Sequence, residues 1–399
     1  MDRTDISQSI TIHVSTWGRL AATSVAHMTE HLYVGVTTIV LPAIASALGL
    51  SMSQVGLLVS ARYLVAGLSN IPSGLLADLI DRRSLLLGLS LVVLGLSSFL
   101  MSLASDFWML LVLMAIGGIG SGGFHPQSLA ILSSAYRERR ALSLGVHDSA
   151  GNLGEVLAPL TLGILLSQTD WRGTLQIWAL PGLAVGVLYA LFSSEANGLT
   201  ISRARLQRSL WEDIITNRAV FGMFVISVFR SMGQAALMTF LPLYMTLQLG
   251  LSVGTVGAYI STVFLFAGIA PTCSGWIADR IGRGRIIVFG SALSALSVMA
   301  LPYLSPGIPL AVGCALVGTL LWALRPIIFA ASMEVTPPEL AGSLVGFIFT
   351  GNMGLSFIAP ILTGIVADRY GLGTAVAFVG AFPFLACLAA LSPLVRARH

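Results

Sequence analysis

Apolar residues run along this 399-residue chain in long stretches that do not alternate with polar ones; Leu85–Leu103 is a typical case. A half-buried strand changes face every second residue, whereas an unbroken apolar run of about 20 residues has the length of a helix crossing a bilayer. Backbone polar groups find no water in lipid, so a spanning segment is a helix or a strand of a closed barrel. The absent alternation selects the helix. The pattern predicts twelve membrane helices, at about 17–41, 53–77, 84–104, 107–133, 141–167, 173–193, 219–247, 252–278, 285–304, 308–333, 341–367 and 373–394. The longest polar stretch, about Ser194–Arg218, separates two sets of six. The expected organisation is an N-terminal bundle over 1–193, a cytoplasmic linker over 194–218 and a C-terminal bundle over 219–399, in an all-α membrane protein.

Composition agrees with this. Charged residues make up 10% of the chain, against about 25% in soluble domains. Hydrophobic residues reach 56%, and mean hydropathy is +0.89. Disorder, nucleic-acid binding and most soluble enzyme chemistry are excluded. All 21 basic residues are arginines, so their placement carries the topological information. Sixteen fall at the N-terminus, the C-terminus or the loops on one side, two (Arg172 and Arg369) on the other, and three (Arg62, Arg230 and Arg325) inside helices. By the positive-inside rule both termini are expected in the cytoplasm. No cleavable leader is expected, because the first apolar run is long and interrupted by charge. Cys273, Cys314 and Cys387 have neither disulfide-framework nor metal-site spacing.

The two sets of six repeat one another. Leu41-Pro42 recurs as Leu241-Pro242, Gly74-x-x-Ala77-Asp78 as Gly275-x-x-Ala278-Asp279, and Gly151-Asn152-x-Gly154 as Gly351-Asn352-x-Gly354. Ala141-x-Ser143-Leu144 recurs as Ala341-x-Ser343-Leu344, Pro159 matches Pro360, and His125-Pro126 aligns with Arg325-Pro326. Every offset is 200 or 201. Two parallel copies imply a pseudo-two-fold axis along the membrane normal and a substrate site between the copies.

With these motifs the chain resembles the major facilitator superfamily. Gly74-Leu-Leu-Ala-Asp78-Leu-Ile-Asp81-Arg82-Arg83 is similar to its loop G-x-L-A-D-R-x-G-R-R, with Leu79 and Asp81 departing from the pattern. Gly275-Trp-Ile-Ala-Asp279-Arg280-Ile-Gly282-Arg283-Gly-Arg285 is nearly complete. The resemblance implies a major facilitator fold and a gating latch built from Gly74, Asp78, Arg82 and Arg83 and from Gly275, Asp279, Arg280 and Arg283. Gly151, Asn152, Gly154 and Pro159 resemble the Gly/Pro-rich antiporter motif; with Gly351, Asn352, Gly354 and Pro360 they are expected to pack helices closely. Gly118-Ile-Gly120-Ser-Gly122-Gly-Phe124-His125-Pro126-Gln127 is similar to a segment of the fosmidomycin-resistance branch, which exports a phosphonate. That branch commonly carries Glu where this chain has Gln127.

Ionisable side chains inside membrane helices are costly and mark function. Guanidinium matches phosphonate or carboxylate, so Arg230, Arg325 and Arg62, with His125 and Gln127, are the substrate-binding candidates. Glu30, Asp148, His31, His147 and Glu155 are the proton-coupling candidates. Arg62 is expected to pair with Asp148 or Glu30 in the absence of substrate. His27-Met-Thr-Glu30-His31 fits H-x-x-E-H, the inverted zinc-protease pattern; a protease would need a further ligand, a cleft and a water-activating acid, and no soluble catalytic domain accompanies the motif. No resident metal or cofactor is assigned, and no P-loop points to ATP.

The resulting expectation is a monomeric, non-enzymatic transporter of the bacterial inner membrane. It would export a small organic anion or drug by proton antiport, with the proton gradient as energy source. The alternatives are an organic-anion importer working by proton symport and a metal-ion transporter or metalloprotein using His27, Glu30 and His31. The lipid bilayer and a small molecule are the expected partners, with no nucleic acid.

Overall fold

The computed structural model describes residues 3–80, 82–136, 138–193, 216–336 and 341–392. Linker residues 194–215 and the side chain of Asp78 lie outside that description, as does Asp81. All regular structure among the described residues is helical, and twelve helices are long and apolar enough to span a membrane. In chain order they are α1 (Trp17–Leu48), α2 (Met52–Ala77), α3 (Arg83–Met101), α4 (Phe107–Ala135), α5 (Leu142–Gln168), α6 (Trp171–Phe192), α7 (Arg218–Gln248), α8 (Val253–Ile281), α9 (Arg283–Tyr303), α10 (Ile308–Glu334), α11 (Gly346–Tyr370) and α12 (Leu372–Leu391).

The largest departure from the sequence reading is α1, which runs to Leu48 rather than ending near 41. Pro42 suggests a stop, since it lacks an N–H and crowds the preceding turn. The chain widens into a π-turn over Val36–Val40 and resumes α-helix at Leu41–Leu48, with Pro42 in the first turn where its missing N–H is harmless. In α11 the helix breaks after Ser356 and restarts at Ile358, two residues before Pro360.

Three helix starts on the Arg-poor side, those of α4, α6 and α8, are capped by their own loops. Asp106 accepts from the backbone N–H groups of Trp108 and Met109, Asp170 from Gly173, and Ser252 from Thr255. Backbone contacts of Met109 and Trp108, with the Ser105 hydroxyl, hold the Asp106 carboxyl below the usual carboxylate range. Helix α2 is capped differently. Asp368, at the end of α11 in the other bundle, accepts from Met52 N at 2.7 Å and Ser53 N at 2.8 Å.

Within the first bundle α1 packs on α5, α2 on α4 and α3 on α6; in the second, α8 packs on α10, and α7 on both α11 and α12. The bundles meet along α2–α11 and α5–α8. Gly56 lies so close to the Pro360 carbonyl, and Gly257 to the Pro159 carbonyl, that a Cβ at either glycine would overlap the oxygen. Gly364 meets Met52 and Gly163 meets Val253 in the same way. Each contact has its mate 201 residues away, so the repeat has become a pair of symmetric seams. These seams hold the two bundles together toward the Arg-poor face.

Candidate functional site

Four histidines and three acids from α1, α4 and α5 come together inside the first bundle. His27, Glu30 and His31 share one face of α1, at spacings of three and four residues. Gly151 and Gly154 let α5 approach that face: a Cβ at Gly151 would strike the His27 ring, and one at Gly154 the Met28 carbonyl. His147, Asp148 and Glu155 are thereby carried to α1. The glycines of α4 act similarly, with Gly118 and Gly122 against the Arg62 and Ala66 carbonyls of α2 and Gly120 against that of Ser90 in α3. His125 follows them into the cluster.

The geometry is close. The His27 and His147 rings stack with centroids 4.0 Å apart, and His31 meets His27 edge-on at 4.5 Å. His31 Nδ1 is 3.1 Å from Glu155 Oε1, and His31 Nε2 is 3.6 Å from Glu30 Oε2. His125 Nε2 is 3.9 Å from the same Glu30 oxygen. Glu30, only 3% exposed, has its other oxygen held by the Ser121 hydroxyl at 2.5 Å. His27 is buried, and its Nδ1 lies 2.8 Å from the His147 carbonyl. His125 also packs near Phe349 of α11, at a centroid distance of 6.4 Å.

The second bundle presents arginines at the repeat-equivalent positions. Arg325, aligned with His125, reaches across to Asp148 at 3.5 Å, with side chains 41% and 55% exposed. Exposure of that size well inside two spanning helices marks a vestibule between the bundles. Arg230, aligned with Glu30, is 2% exposed, and its Nε and Nη1 have no hydrogen-bond partner among the described residues.

Two expected substrate ligands make hydrogen bonds to backbone carbonyls of the first bundle. Gln127 is fully buried and donates to the Ser73 carbonyl of α2 at 2.9 Å, so it ties α4 to α2. Two residues along a helix is about 200° of rotation, which turns Gln127 away from the face that carries His125. Arg62 donates to the Tyr33 carbonyl at 3.0 Å, and among the described residues no carboxylate lies within ion-pair distance of it. Arg62 stays close enough to Glu30 for the two charges to attract, short of an ion pair, while Asp148 has Arg325.

At the Arg-rich face, Arg283 bridges Asp279 at 3.2 Å and Glu334 at 2.5 Å, joining α8, α9 and α10, while Arg280 lies 3.7 Å over the Trp276 ring. These ties stay within the second bundle. In the first copy, Gly74 approaches Pro126, and Arg82 precedes α3 as an exposed residue with half-buried Arg83 after it. Of the packing candidates, Asn152 faces Gly268 of α8, Gly351 meets the Phe224 ring of α7, Gly354 meets Gly67 of α2, and the Asn352 carbonyl accepts from the Ser231 and Ser356 hydroxyls.

The sequence reading missed Ser121, Tyr33 and Asp368. Ser121 and Tyr33 carry no signal beyond being polar in a helix. Asp368 does: Gly364-x-x-Ala367-Asp368-Arg369 repeats the spacing of Gly275-x-x-Ala278-Asp279-Arg280 at the opposite membrane face.

The profile of the Major Facilitator Superfamily matches residues 23–360 and 223–398. The fosmidomycin resistance protein of Escherichia coli (strain K12) is 23% identical over 386 residues, covering 95% of this chain and 93% of that one. YfnC, an uncharacterized MFS-type transporter of Bacillus subtilis (strain 168), is 25% identical over 377 residues, covering 92% and 91%. The multidrug resistance protein MdtG of Salmonella paratyphi A is 25% identical over 331 residues, 79% of each chain. Among solved structures, a bacterial homolog of the human lysosomal transporter Spinster, inward-facing and unoccupied, superposes with a TM-score of 0.78 at 18% identity, covering 95% of this chain and 99% of that one. The nucleoside transporter NupG (D323A mutant) superposes with a TM-score of 0.81 at 13% identity, covering 94% and 98%. With twelve spanning helices, an internal repeat and a profile match across both bundles, the chain belongs to the Major Facilitator Superfamily.

Proposed function

We propose that this transporter moves small organic anions or anionic drugs out of a bacterial cell across the inner membrane, driven by protons and by rocking of its two bundles. The observation that carries the reading is the division of charge across the vestibule. The first bundle holds titratable groups, with Asp148 exposed and Glu30 and His147 buried behind it beside His31 and Glu155; the second holds Arg325, exposed, and Arg230, buried with Nε and Nη1 lacking a hydrogen-bond partner among the described residues. A guanidinium offers a forked set of donors that suits a phosphonate or carboxylate. The acids and imidazoles can exchange protons with the vestibule. The Arg-rich face is then the cytoplasmic one. Outward movement is supported by the resistance named in two relatives, the fosmidomycin and multidrug proteins.

A second reading, anion uptake with protons, has its own support in the Asp148–Arg325 pair. An anion that takes Arg325 leaves Asp148 without its counter-charge, so anion and proton favour each other's binding. That linkage is reciprocal and has the sign symport needs. Export by antiport needs the opposite sign, in which the anion expels protons. Counterflow of radiolabelled phosphonates and carboxylates in proteoliposomes, with and without a pH gradient, tests the shared proposal. Proton release or uptake on anion binding, read in weakly buffered detergent solution, separates the two directions. Failure of every anion to exchange would reject both.

A further inference from the structure

Beyond proton and anion handling, the α1–α4 contact holds a donor set of another kind. We infer that His27, Glu30, His31 and His125 form a binding site for one transition-metal dication of the zinc class. One donor atom from each of the four lies within 4.8 Å of all the others. A tetrahedral zinc centre with bonds of about 2.0–2.1 Å places its ligand atoms about 3.3–3.4 Å apart. The Glu30 Oε2 separations to His31 Nε2 and His125 Nε2, 3.6 and 3.9 Å, are already near that spacing. The other separations, up to 4.8 Å, have to close to the same spacing for an ion to bind.

The surrounding contacts match those of a metal centre. A carbonyl oxygen only accepts, so the His27 Nδ1 facing the His147 carbonyl carries the proton. His27 Nε2 is then a bare lone pair, buried and without a hydrogen-bond partner among the described residues. A ligating imidazole is fixed in this way, with its other nitrogen held by a backbone carbonyl or a carboxylate. His31 has Glu155 at ion-pair distance from Nδ1, without a hydrogen bond to it, and turns Nε2 toward Glu30. Glu30 is oriented by Ser121 at one oxygen and leaves the other to the centre. Three nitrogens and one carboxylate oxygen suit zinc better than magnesium or calcium, which take oxygen ligands. His31 and His125 keep 17% of their side-chain surface exposed, which gives an ion a way in. The sequence pattern H-x-x-E-H supplied three of these residues; His125, from a helix some 90 positions on, completes the set.

The site is tested by binding alone, without a transport assay. Tag-free protein is stripped with chelator and dialysed against Zn2+. One ion per chain is expected. His27→Gln and His125→Gln should each weaken binding by at least tenfold while leaving the metal-free unfolding midpoint within a few degrees of the parent. Cys273→Ser removes the one exposed thiol and should bind like the parent. Parent-like stoichiometry and affinity in both histidine variants would overturn the site, as would no Zn2+ bound by the parent. Because either histidine variant could fail to fold, Zn K-edge absorption on the unmodified protein serves as an independent measurement. Imidazole scattering with four nitrogen or oxygen neighbours is expected; a sulfur neighbour, or six oxygens without imidazole, would overturn the assignment.

Discussion

Arg230, with 2% of its surface exposed and two guanidinium nitrogens without a hydrogen-bond partner among the described residues, is an unfinished interaction. Each buried donor left unpaired costs about 1–3 kcal/mol. Arg230→Met keeps the length of the side chain and removes the unmet donors. It should stabilise the ligand-free protein by about 1–3 kcal/mol, read as a raised unfolding midpoint, and abolish anion counterflow. A fall in the midpoint would mean that Arg230 is already satisfied. Glu30→Gln preserves the acceptor that Ser121 uses and deletes the exchangeable charge. Flux driven by a pH gradient should drop at least tenfold, with exchange at equal pH less affected and expression unchanged. Residue types and helix faces were legible in the sequence, which is why the acids and histidines were found. Partners were not, because the rotation of one helix against another is set by packing elsewhere. Arg62 was expected on a carboxylate and lies on the Tyr33 carbonyl; Gln127 was expected beside His125 and is clamped to Ser73.

At the level of elements, the glycines decide which helices touch. Gly118, Gly120 and Gly122 seat α4 on its neighbours, and Gly56 and Gly257 bring opposite bundles within contact of a proline carbonyl. A leucine at Gly257 cannot fit without parting α5 from α8. Gly257→Leu should therefore speed labelling, by a membrane-impermeant maleimide, of a reporter cysteine introduced at Ser261, which is buried against the Val156 carbonyl of α5 in that seam. Asp368→Ala acts at the Arg-poor face by removing both acceptors from the α2 start. Losing such a cap costs about 1 kcal/mol, so roughly a fivefold shift toward the state open at that face is expected. Unchanged labelling of a cysteine at Ser60, buried against the Phe357 carbonyl of α11, would show that the Asp368 contact does not bias the equilibrium. Helix number and approximate limits were readable from apolar run length. The extension of α1 beyond Pro42 was not, because a π-turn absorbs the proline without any local polar signal.

Across the whole molecule, duplication kept positions and changed charges. Glu30 and His125 in the first copy stand where Arg230 and Arg325 stand in the second, so one bundle carries titratable groups and the other guanidinium groups at equivalent positions. Exchanging the Asp148–Arg325 pair, by Asp148→Arg with Arg325→Asp, should restore inter-bundle attraction and a folded protein. It should still cut anion counterflow at least tenfold, because the cation has moved to the wrong bundle. Parent-like counterflow in the double variant would show that the pair matters only as a strut. The repeat offsets of 200 and 201 made the two-fold architecture legible before any coordinates. Which face is sealed was not legible, since both rocking states share every residue and differ in which seam is closed.

The bond from Asp368 to the start of α2 also has a consequence for biogenesis. Its partners Met52 and Ser53 precede it by 316 and 315 residues. At a synthesis rate of about 5–20 residues per second, the first turn of α2 emerges roughly 15–60 s before its acceptor exists. During that interval the newly inserted N-terminal half keeps those amides on water or lipid headgroups, and its neighbouring surface remains bare. The last helices to leave the ribosome therefore complete a structure begun near the start of translation, and a chain truncated before Asp368 would leave it unfinished.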